Sequence, residues 1–73
     1  MRRKKIYFDV ARMRDVMEQK GTNMTLIARQ IGVNPDSFRN RVSDGEMRPE
    51  ELEAVCKVLD VAVDYIRGEW ATI

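Results

Sequence analysis

Cys56 is the only thiol of this 73-residue chain, and no histidine stands anywhere to activate it. A cysteine nucleophile needs a base or a cationic neighbour to become a thiolate, and imidazole is the commonest near-neutral proton carrier and zinc ligand. Cys56 instead falls among Leu52, Val55 and Leu59 at helical spacing, which marks it as a core side chain. The acidic group Glu50, Glu51 and Glu53 follows Pro49 at a helix start, where carboxylates complement the positive end of the backbone dipole; we read it as that and not as a metal site. No glycine-rich phosphate loop is present. These residues lead us to expect no enzyme, no metal, no cofactor and no small-molecule ligand.

The basic residues are more informative. The net charge is only +1, but it is unevenly spread. Residues 1–48 hold 11 Lys/Arg against 6 Asp/Glu, a balance of +5, and residues 49–73 hold 2 against 6, a balance of −4. A chain polarised in this way can turn a basic face to a polyanion while remaining nearly neutral. The run Arg2, Arg3, Lys4 and Lys5 opens it as a basic arm, either a solubilising tail or a contact to phosphates or a minor groove. With no charged head leading into an unbroken apolar stretch, and no segment near the ~20 apolar residues that span a bilayer, we expect a soluble, cytoplasmic protein without membrane contact. The lack of any disulfide fits a reducing compartment.

The elements that must position these groups read as helices. Asp9 can cap a first helix over 9–20, with Phe8 and Met13 at the two positions of a hydrophobic staple, Met13, Val16 and Met17 on one face, and Lys20-Gly21 as the stop. Asn23 caps a second, whose apolar stripe is Ile27, Ala28 and Ile31 and whose end is Gly32. Asn34 caps a third over about 35–43, with Pro35 in the first position and Phe38 and Val42 inward, before Asp44-Gly45 breaks it. Pro49 opens a fourth, and 63–67 makes a short fifth. Only 5–8 has any strand-like alternation. The expected fold is all-α, a compact four- to five-helix bundle, divided as a basic arm (1–7), a helical domain (8–67) and a tail (68–73). Methionines 13, 17, 24 and 47 fill gaps in a small core. Trp70 and Ile73 read as a lid on the core or as a homodimer contact, and we favour the contact, because exposed apolar tails invite association.

The second and third helices meet across Gly32-Val33-Asn34. A link this short forces a steep crossing: Ala28 permits close approach, Gly32 takes the left-handed backbone shape, and Val33 plugs the corner. A helix projected in this way suits a major groove. At these residues the chain resembles the phage Cro and repressor type of helix-turn-helix domain, of the lambda-repressor-like fold. The resemblance covers about 13–66. It takes in Lys20-Gly21, Ile27-Ala28…Ile31-Gly32-Val33, Phe38…Val42, the helix Leu52-Glu53-Ala54-Val55-Cys56-Lys57-Val58-Leu59 and the closing Val61…Asp64-Tyr65-Ile66.

The resemblance implies a sequence-specific double-stranded DNA-binding transcriptional regulator, a repressor of phage or mobile-element type, with the third helix in the major groove. Asp36, Ser37, Arg39 and Asn40 would then face base edges, Asn40 suited to adenine and Arg39 to guanine or a phosphate. Asn23, Thr25, Arg29, Arg41, Ser43 and Arg48 would contact phosphates. Three positions depart from the family pattern: Asp36 where glutamine is frequent, Met24 where a polar phosphate-contacting residue is common, and Arg48 where a capping serine is usual. Asp36 and the acidic last third favour a second reading, a protein-binding helix-turn-helix module such as an antirepressor or adaptor.

Overall fold

Each of the first three helices is started by a side chain that satisfies free backbone amides. Asp9 Oδ1 accepts from Arg12 N at 3.2 Å, Asn23 Oδ1 from Leu26 N at 3.0 Å, and Asn34 Oδ1 from Asp36 N at 2.9 Å and Ser37 N at 3.2 Å. The computed structural model describes residues 5–72. Its elements run β1 (Ile6–Tyr7), α1 (Val10–Gln19), α2 (Met24–Ile31), α3 (Pro35–Asp44), β2 (Glu46–Met47), α4 (Pro49–Leu59) and α5 (Val63–Arg67), followed by a 3₁₀ turn, Gly68–Thr72. α4 starts without a side-chain cap at Arg48, relying on Pro49 in its first position and on Glu50 and Glu51 near its positive end.

Two glycines close the helices on either side of the projected segment. Gly32 ends α2 at φ +78° and Gly45 ends α3 at φ +75°, a region costly for any residue with a Cβ. α4 ends at Asp60, φ +57°, a conformation that a short polar side chain tolerates.

The core is built from every helix and from both strands' neighbourhoods. Met13, Val16 and Met17 of α1, Ile27 and Ala28 of α2, Phe38 and Val42 of α3 and Ile66 of α5 are all buried. They meet Leu52, Val55, Cys56 and Leu59 of α4, with Phe8 and Met47 closing one side. Among the described residues no polar or charged residue is buried. Met24 packs against this cluster half-buried, so all four gap-filling methionines contribute. Cys56 is buried as expected, and its surroundings push the thiol up to about 11.

The expected helical bundle carries one short ribbon, whose first strand falls in the 5–8 stretch with strand-like alternation. β1 and β2 pair antiparallel, Ile6 opposite Met47 and Tyr7 opposite Glu46. Residues 6 and 7, expected in the basic arm, are therefore stitched to the segment that follows α3. Phe8 N extends the seam by donating to Gly45 O at 3.0 Å, and Asp9 N donates to Ile66 O at 2.8 Å. The tail is structured too: the Trp70 ring lies on Tyr7, centroids 5.0 Å apart and tilted by 36°. Trp70 thus has a ring partner within its own chain, itself 49% exposed; Ile73 lies outside the described residues. No described helix is long and apolar enough to cross a membrane.

Candidate nucleic-acid interface

Phe38 and Val42, four residues apart, fix the inner face of α3 in the core. That spacing leaves the opposite face free. Asp36, Ser37, Arg39, Asn40 and Ser43 are all exposed along it. The link to α2 is as short as its sequence suggested: Val33 N donates to Ala28 O at 2.9 Å and Gly32 N to Arg29 O at 3.3 Å, which satisfies the last carbonyls of α2 before Asn34 restarts the chain.

The exposed side chains differ in how firmly they are held. Arg39 is pinned twice. Its Nη1 donates to Asp36 Oδ1 at 3.2 Å, one turn back on α3, and its Nη2 donates to Thr25 Oγ1 at 2.8 Å, across the turn on α2. Asp36 is therefore ion-paired, although its side chain is 89% exposed. Asn40, beside Arg39, is exposed and makes no side-chain hydrogen bond among the described residues. One residue of this face is anchored and its neighbour is free.

The remaining candidates scatter around α3. Asn23 uses its side-chain oxygen as the α2 cap, and Thr25 is half-buried with its hydroxyl on Arg39. Arg29, in the last turn of α2, and Arg48, just before α4, are exposed. Arg41 is different. It turns toward α4, where its Nε lies 3.3 Å from Glu51 Oε1, and its side chain is only 33% exposed. The structure gives Arg41 an internal partner where we expected a phosphate clamp, because position 41 falls between the buried and open faces of α3. Lys5 is exposed; Arg2, Arg3 and Lys4 lie outside the described residues.

Sequence reasoning missed a feature beside Arg39. Asn23, Met24, Thr25, Leu26 and Arg39 line an open recess of about 420 Å³ between the start of α2 and the middle of α3. Leu26 stands 47% exposed at its wall. The signal lay in the sequence: Leu26 is apolar but out of phase with the apolar stripe Ile27, Ala28 and Ile31. A larger recess lies against α4, lined by Glu50, Glu53, Ala54, Cys56, Lys57, Val61 and Val63, and none of the exposed α3 side chains reaches it. Among the described residues no group of three or more His, Cys, Asp or Glu is arranged to hold a metal ion.

What this arrangement offers chemically is an exposed polar helix face of mixed charge, carrying Arg39 and two carboxylates, Asp36 paired with Arg39 and Asp44. Compared with known proteins, the chain matches no family model, no curated protein and no solved structure.

Proposed function

We propose that this chain is a helix-turn-helix protein of the Cro and repressor type that binds duplex DNA and regulates transcription without catalysing a reaction. One observation carries the reading. α3 buries Phe38 and Val42 on its inner side, while Asp36, Ser37, Arg39, Asn40, Ser43 and Asp44 are exposed on its outer side. An α-helix laid in a major groove needs that division, with polar groups reaching base edges and phosphates.

In this reading Asn40 is the freest base reader. Ser37 and Ser43 lie beside it, and Asn23, Thr25, Arg29 and Arg48 sit where the flanking backbone would pass. Arg41 is left out of the contact set because Glu51 holds it. Control is steric: a promoter occupied by α3 is closed to polymerase, in the cytoplasm, with no cofactor. Two copies on half-sites about 34 Å apart would multiply affinity and require a two-fold operator.

The rival reading, a protein-binding module of the antirepressor or adaptor kind, is favoured by the 89% exposed Asp36 side chain and by the −4 balance of residues 49–73. Salt separates the two. A DNA complex with about 6 phosphate contacts loses on the order of 10³ in affinity between 50 and 200 mM salt. Titration of the chain into random duplex DNA across that range tests it. No binding to any duplex at the low end would remove the DNA reading and leave the protein-binding one.

A further inference from the structure

We infer that the basic run before β1 docks on the acidic start of α4 in its own chain, Lys4 and Arg2 pairing with Glu50 and Glu53, and that a duplex has to draw it off. Only the second half rests on the DNA-binding reading. Arg2, Arg3 and Lys4 lie outside the described residues, and the neighbourhood of their attachment point selects this berth.

Register is the first support. β1 and β2 pair antiparallel, Ile6 opposite Met47 and Tyr7 opposite Glu46, so each step toward the start of the chain passes one residue further toward α4. Carried on in that register, positions 5, 4 and 3 fall beside Arg48, Pro49 and Glu50. The ladder itself cannot follow, because Pro49 has no amide proton and opens a helix. Beyond that point only side chains can hold the segment. In extended chain Lys4 and Arg2 share the face of Ile6, which packs on the core, while Arg3 and Lys5 share the face of the exposed Tyr7.

Reach is the second. Ile6 and Met47 are neighbours across the ribbon, and Glu50 follows Met47 by three residues, about 10 Å of chain at most. Arg2 precedes Ile6 by four residues, which extend to about 14 Å. Lys4 and Arg2 stand about 7 Å apart when extended, and Glu50 and Glu53 about 5 Å apart on one helical turn.

Charge and shape agree with both. Residues 2–5 carry +4 and residues 49–73 a balance of −4. Glu50 and Glu53 are exposed beside an open recess of about 520 Å³, in which Ala54, Val61 and Val63 are half-buried. Glu53 makes no side-chain hydrogen bond or ion pair among the described residues, and Glu51 is turned inward to Arg41. A lysine or arginine laid there puts its charge on a carboxylate and its methylene stem on the apolar lining. Lys57, one turn past Glu53, ends the acidic stretch. Exposed ion pairs are individually weak, but a tether of a few residues holds these partners at a high effective concentration. Duplex phosphates compete for the same cations, so DNA binding has to release the arm.

A nitroxide on Arg3→Cys, which leaves Lys4 and Arg2 in place and the buried Cys56 unlabelled, reports where the arm lies. In the whole chain at about 50 mM salt, the backbone amide resonances of 50–57 and 61–63 should broaden most. Tenfold dilution should leave that pattern unchanged. Raising the salt to about 500 mM should erase it, and so should Glu50→Gln combined with Glu53→Gln. Broadening spread evenly over the surface, or unmoved by salt, would overturn the docking. Broadening lost on dilution would put the arm on a second copy and overturn it too. The salt series needs no change to the acidic residues, so a poorly folded double replacement leaves the test standing. A duplex taken from a random pool should erase the pattern at low salt. The double replacement should tighten duplex binding about threefold, and deletion of residues 1–4 should cancel that gain. A gain that survives the deletion, or a duplex that binds with the pattern intact, would overturn release by DNA. A chain that binds no duplex removes the DNA reading, while the docking stands or falls on the spectra.

Discussion

The guanidinium of Arg41 on α3 lies 3.3 Å from the carboxylate of Glu51 on α4, and Glu51 is only 11% exposed. Arg41 Nη1 and Glu51 Oε1 are closed to solvent, and neither has a hydrogen-bond partner of good geometry among the described residues. The pair attracts through charge while part of its desolvation goes uncompensated. Removing one partner is therefore worse than removing both. Arg41→Ala should cost about 1–2 kcal/mol, above the value of exposed pairs and below the 3–5 of fully buried ones. The double replacement Arg41→Met with Glu51→Leu should be at least as stable as wild type. Urea denaturation midpoints measure both. Because Glu51 already holds Arg41, replacing it should leave the salt slope of DNA binding unchanged.

The two glycines flanking α3 should respond unequally to a methyl group. At Gly32 a Cβ would meet nothing within 4 Å, so Gly32→Ala carries only the left-handed backbone penalty, about 1 kcal/mol. At Gly45 the Cβ would come within 3.3 Å of Val10 Cγ2 in addition, so Gly45→Ala should cost about 2 kcal/mol or more. Equal losses by chemical denaturation would show that Val10 yields freely.

Cys56 sets an alkaline limit on stability. Burial raises its thiol to about 11 from 9.0, so the folded chain holds this proton more tightly than the unfolded one. That stabilisation is whole below pH 9 and declines as the pH rises toward 11, because the unfolded chain ionises first. A Cys56→Ala variant, less stable at neutral pH from the lost packing, should show a shallower decline over that window. Thiol reagents should label Cys56 only as fast as the chain opens, which pulse alkylation measures.

Asp36 should oppose its own interface. Its side chain is 89% exposed and it accepts from Arg39, so Asp36→Asn should change stability by no more than about 0.5 kcal/mol. In the proposed complex the same change removes a negative charge near the phosphates. Duplex affinity should rise about threefold or more at low salt, with the gain shrinking as salt rises. A fall in affinity, measured in the same titration, would mean that the carboxylate accepts a hydrogen bond from a base.

Local chemistry was legible in the sequence. Asp9, Asn23 and Asn34 are caps because their side chains reach amides two or three residues on, a distance the chain itself fixes. A first helix expected over 9–20 is found at Val10–Gln19, and a third expected over 35–43 at Pro35–Asp44. The exposure of Asp36, Ser37, Arg39 and Asn40 followed from Phe38 and Val42 pointing the other way. What escaped were meetings between distant residues. Residues 5–8 alternate, but the pairing of Ile6 with Met47 depends on where α3 delivers the chain. Trp70 found Tyr7, Arg41 found Glu51 and Arg39 found Thr25 for the same reason. Which long side chains touch is decided by helix crossing angles, and those are a property of the assembled core.

The seam around Phe8 and Asp9 has a consequence for biosynthesis. Asp9 N is bonded to Ile66 O, Arg67 Nε to Tyr7 O at 3.0 Å, and Arg12 Nη1 to Tyr65 O at 3.1 Å, so the first-made and last-made parts of the described chain fasten each other. On a ribosome, the first helix must wait for the fifth before it can lock. Until then the core lacks Ile66, so a chain ending before residue 66 should unfold at lower urea than the finished one.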